Sequence, residues 1–181
     1  MSPIRRSVLV GAGTALASAA GPVPAFAAAE PRVPSDADAD IEDLVSRASQ
    51  GHAALMVGDV GRYRAFIKTS ADFTLLSPFG GAPTRGGELS DERWASVGRF
   101  FKNGRNATLQ LIQAYPSADM VVLAAVERAH VEVGGLAGQD WALRVTLVFR
   151  REGEQWQLVH RHADPIAAGI SLEQAAALGR R

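Results

Sequence analysis

Apolar positions in this chain change period once along its length. Ile41, Leu44, Val45, Ala48, His52, Leu55 and Met56 recur at helical spacing. Acids precede them, as suits a helix N-terminus, and Gly58 stops the pattern. A second short helix is predicted over Val60 to Ile67. Asp72 to Ser77 reads as a strand ending at Pro78, followed by a glycine-rich loop over Gly80 to Gly87. Ser90 then offers an N-cap, with Asp91 and Glu92 in the first turn and Trp94, Val97 and Phe101 on one stripe. From there the period is that of strands: Ala107 to Tyr115, Met120 to Val133, Trp141 to Arg151 and Trp156 to Ala163. Their connections are Pro116-Ser117-Ala118-Asp119, a Gly134 to Asp140 loop and a tight turn at Gly153. Ser171-Leu172-Glu173-Gln174 fits a capping box for a short terminal helix. Helices first and antiparallel strands afterwards predict an α+β domain in which apolar helix stripes cover one face of a curved sheet.

The start of the chain reads differently. Met1 to Ala27 combines Arg5-Arg6, an acid-free run of apolar and small residues from Val8 to Ala20, then Pro22, Pro24 and Ala25-Phe26-Ala27. This is the pattern of an export signal cleaved after Ala27, and the paired arginines point to the twin-arginine route, with ordinary secretion as the alternative. The apolar run falls short of the ~20 residues a bilayer span needs. The expectation is therefore an exported protein, periplasmic or extracellular, with no stable membrane insertion after cleavage. Ala28 to Asp40, with two prolines and almost no bulky apolar side chain, reads as a linker. The domain proper is expected over residues 41–168, with 169–181 as a terminal helix and tail.

Charge narrows the partners. The 181 residues hold 19 basic and 19 acidic side chains, and losing Arg5 and Arg6 leaves a slightly acidic mature chain, which gives no footing for nucleic acid. There is no cysteine, so stability rests on one ordinary core without disulfides. Neither a nucleophile elbow nor a phosphate-cradling glycine loop is present, and no cofactor is expected.

The polar residues inside the strands carry the candidate chemistry. Glu127 lies in an apolar run, where a buried carboxylate needs a cation, and Arg144 or Arg161 is the expected partner, with Thr146 on the face of Arg144. Such a cluster serves either as an anionic-ligand or acid/base site, or as an ion pair that only holds structure. His52 falls on the apolar stripe of the first helix and should face the sheet. Phe73, Phe79 and Trp94 are expected around a cavity mouth. His160, His162 and Asp164 alternate along the last strand and so share a face. Two imidazoles and a carboxylate can hold a metal, but the expected role here is at a pocket rim or an interface, with no required metal.

Three motifs resemble a known family in their order and spacing. Gly58-Asp59 follows the first helix, Ala71-Asp72-Phe73-Thr74 leads to Ser77-Pro78-Phe79-Gly80, and Trp156-Gln157-Leu158-Val159-His160-Arg161-His162 closes the sheet. Together, over roughly Ile41 to Ile166, they resemble the SnoaL-like branch of the nuclear transport factor 2-like superfamily. That resemblance implies a cone-shaped, cystatin-like barrel packed on N-terminal helices, frequent dimers, and a cavity that serves cyclases, isomerases, dehydratases and many non-catalytic binders. Isomerase-like members hold a general-base carboxylate where this chain has Ser77. The last strand is also similar to the association domain of calcium/calmodulin-dependent kinase, an assembly module. The expectation is an apolar pocket for a small molecule in a homodimer, without the usual base; the alternative is a non-catalytic dimeric association module.

Overall fold

The computed structural model describes residues 36–180, which lie within one compact unit. Helix α1 (Asp36–Met56) presents Leu44, Ala48, His52 and Met56 to the core, the stripe its spacing dictates. It starts inside the segment read as a linker, so Asp36, Asp38 and Asp40 are helical. Acids at a helix N-terminus are favoured by the unpaired amide groups there. Asp40 also anchors the helix, accepting from Trp156 Nε1 at 3.0 Å and from Arg151. Arg47 adds bonds to the backbone carbonyls of Phe66 and Trp156.

Helix α2 (Val60–Phe66), capped by Asp59, leads into strand β1 (Thr69–Leu76). The glycine-rich loop that follows contains a short strand β2 (Thr84–Arg85) and one turn of tight helix at Gly86–Glu88. Helix α3 (Asp91–Phe100) is capped by the Ser90 side chain. Then come β3 (Phe101–Pro116), β4 (Met120–Val133), β5 (Gln139–Glu152), β6 (Gln155–Pro165) and α4 (Leu172–Gly179), which carries the full capping box of Ser171 and Gln174.

The six strands form one curved, unclosed sheet in the order β2-β1-β6-β5-β4-β3. Its long pairs are antiparallel, but β1 joins β6 in parallel, departing from an all-antiparallel reading. On the inner face Val121, Leu123, Ala125, Val145, Leu147, Phe149 and Leu158 are buried against Leu44 and Ala48 of α1. Phe149 and Leu123 have no exposed surface, each burying side chain worth about 2–3 kcal/mol.

Alternation alone would put Trp156, Leu158, His160 and His162 on one face of β6. The register shifts by one residue at Val159: Leu158 pairs with Phe149, whereas His160 pairs with Val148 and Arg161 with Leu147. This bulge turns Arg161 to the inner face and both histidines to the outer one.

Candidate functional site

The site grows from the inner face of the sheet and the helices that cover one end of it. A cavity of about 270 Å³ opens there, lined by Leu55 and Met56 at the end of α1, Phe73 and Leu75 of β1, Val97 and Phe100 of α3, and Trp141 and Leu143 of β5. Phe79, on the turn closed by the Gly80 N–H to Ser77 carbonyl bond, is 55% exposed. It stacks on Trp141 with centroids 5.8 Å apart and meets Phe100 edge-on at 5.3 Å. Aromatic pairs at these separations hold a wall in place while leaving its faces available to a ligand.

Glu127 and Arg161 form the charged part of the lining. Both are on inner-face positions, Glu127 directly across from Leu143 and Arg161 across from Leu147. The guanidinium grips the carboxylate with both terminal nitrogens, at 2.8 and 2.7 Å. His52 Nδ1 lies 3.5 Å from the same carboxylate, and its Nε2 donates to the Arg128 carbonyl at 3.1 Å. Burial alone would raise the Glu127 pKa; the charge of Arg161, then that of His52, and the Arg161 hydrogen bonds bring it below the ordinary glutamate value. Tyr63 closes this end. Burial raises its pKa, countered by Arg161 and aided by Glu127, so it stands as a neutral phenol.

The sequence-derived candidates divide between two faces. Phe73, Ser77, Phe79, Trp94, Glu127 and Arg161 line the cavity. His52 is buried behind it, beside a small void shared with Tyr63, Glu127 and Arg161. Arg144 and Thr146 do not reach it. Odd-numbered residues of β5 face inward with Leu143, so Arg144 is an outer-face residue that pairs with Asp164, its Nε 2.8 Å from the carboxylate. Thr146 sits across from His162 on that same outer face. His160 shares a hydrogen bond of 2.7 Å with Thr74 Oγ1, and its pKa is lowered by partial burial and then by His162. β6 runs on through Asp164 to Pro165, so Asp164 stays on the outer face with the two histidines. Among the described residues no three His, Asp or Glu side chains gather as a metal site.

Sequence reasoning missed Tyr63 and Trp141 as lining residues. Trp141 shares the parity of Leu143, a signal that alternation offers. Tyr63 belongs to a seven-residue helix, too short to show a period.

Solved structures with the same fold include a nuclear transport factor 2-like protein from Cytophaga hutchinsonii, 14% identical, covering 70% of this chain and 98% of its own at a TM-score of 0.55. A protein with a cystatin-like fold from Nostoc punctiforme is 16% identical, with 72% and 93% covered and a TM-score of 0.55. A nuclear transport factor 2-like protein from Rhodospirillum rubrum is 20% identical, with 71% and 99% covered and a TM-score of 0.54. No curated protein matches the chain. The SnoaL-like domain family model matches residues 46–168, the whole of the sheet and the second half of α1, and the chain belongs to that family.

Proposed function

We propose that this SnoaL-like domain is an exported binder of a small, largely apolar molecule, held in the cavity between α1, α3 and the inner face of the sheet. The observation that carries this reading is a cavity of about 270 Å³ walled by aromatic and aliphatic side chains with a few convergent polar groups. Its buried carboxylate, Glu127, is held by two hydrogen bonds from Arg161, and among the described residues Ser77 Oγ makes no hydrogen bond to a base, its hydroxyl accepting from the Phe79 amide at 3.2 Å. Neither group is poised to abstract a proton. Binding without base chemistry follows. Export rests on the Met1 to Ala27 pattern, which lies outside the described residues.

A dimeric association module is the second reading. It is supported by the outer face of the sheet, where Ile112 and Tyr115 are 59% and 60% exposed and Tyr115 lies across from Val122. Non-denaturing mass spectrometry of protein purified from its own source tests the first reading. One copurified small molecule per chain, released on unfolding, is the expected result; protein that is ligand-free and fails to take up any apolar compound would contradict it.

A further inference from the structure

Phe79 differs from the rest of the cavity wall. Of the aromatic side chains that line the cavity it alone is exposed, and a side chain that touches both the interior and solvent stands at the mouth. Arg93 and Ser96, the exposed lining residues of α3, mark the same rim. From the turn after β1 the ring reaches across to two other elements, edge-on to Phe100 at the end of α3, 5.3 Å away, and stacked on Trp141 at the start of β5, 5.8 Å away. These two contacts bridge the mouth. The backbone under the ring is pinned at Ser77, whose Oγ accepts from the Phe79 amide at 3.2 Å and whose carbonyl accepts from the Gly80 amide at 3.0 Å. At Gly80 and Gly81, both at positive φ, an added Cβ would meet no atom within 4 Å, so the loop beside the ring borders open space. The ring has a fixed pivot and room to turn into.

We propose that Phe79 is the gate of the cavity: laid on Phe100 and Trp141 its ring closes the mouth, and rotated outward about its own side-chain bonds it lets a ligand in or out. This rests on the small-molecule reading of the cavity and adds how the ligand enters and leaves. Each aromatic contact favours the closed form on the order of two- to tenfold, so the open form is a minor but accessible population. Neither α3 nor the sheet has to move. A gate stands in the path in both directions, so it slows entry and exit alike and leaves affinity almost unchanged. A residue that is only part of the wall acts differently, because losing its contact with bound ligand speeds exit and leaves entry as it was.

The test is stopped-flow mixing of the full chain with acetylnaphthalene, a flat and largely apolar probe, followed through the fluorescence of the lining residues Trp94 and Trp141. Phe79→Ala is expected to raise the association and dissociation rates together, by about tenfold each, with Kd held within about threefold. Phe79→Leu keeps bulk at the mouth but loses both ring contacts, and it should raise both rates by less. Either variant decides the matter alone should the other fail to fold. Faster dissociation with unchanged association, and so weaker binding, would make Phe79 a wall residue and overturn the proposal. Binding with both rates unchanged would overturn it too while sparing the small-molecule reading, whereas no binding of the probe to the unaltered protein would remove both.

Discussion

Glu127 remains ionised in the interior because Arg161 takes both of its oxygens and His52 stands beside it. Removing one partner leaves the other as an uncompensated buried charge, so Arg161→Met should cost about 3–5 kcal/mol of stability in denaturant titration. The double variant Glu127→Leu with Arg161→Met should recover most of that loss. The pH dependence has a definite sign. Because the folded pKa of Glu127 lies below its ordinary value, its contribution is complete above that value, near 4.5, and is lost as pH falls through the folded pKa. Asp72, held at about 2 mainly by its hydrogen bond from Arg150, acts in the same direction. Acid titration of Glu127→Gln should therefore show a shallower decline below pH 4.5 than the unaltered protein; equal slopes would mean that Glu127 does not titrate as an ion-paired acid.

At the scale of elements, the site depends on where strands kink and helices touch them. Gly104, near the start of β3, packs directly on the end of α1: a Cβ there would lie 2.4 Å from the Met56 carbonyl oxygen. Gly104→Ala must push α1 and β3 apart, and it should lower stability by roughly 1–3 kcal/mol in thermal denaturation while loosening the cavity wall formed by Leu55 and Met56. Strands with sustained alternation were legible from sequence; Met120–Val133 is the clearest case. The side of β6 on which Arg161 falls depends on the bulge at Val159, which leaves no local mark in composition. Sequence leaves Arg144 and Arg161 both open as partners of Glu127, because alternation within a strand does not say which residue of the next strand stands opposite; the register pairs Glu127 with Leu143 and thereby turns Arg144 outward, leaving Arg161. The start of α1 was obscured because Asp36, Asp38 and Asp40 read as polar linker until their place at a helix N-terminus is known.

For the whole molecule, the curved sheet divides the chemistry. Its inner face and helices enclose the cavity, while its outer face carries Ile112, Tyr115, His160, His162 and the Arg144–Asp164 pair. Helices cover the inner face, so self-association is the expected fate of the outer one, and the protein should sediment as a homodimer at micromolar concentration. Ile112→Glu with Tyr115→Lys should shift it toward monomer without unfolding it. The central claim concerns the inner face, and filling the cavity tests it most directly. Val97 is half-buried on α3 and part of the lining, so its replacement by Trp adds bulk to the cavity while Glu127, Arg161 and Trp141 keep their identities. Titration with acetylnaphthalene should give one site per chain in the unaltered protein and none in Val97→Trp, at unchanged circular dichroism. Undiminished binding in the filled variant would contradict the account.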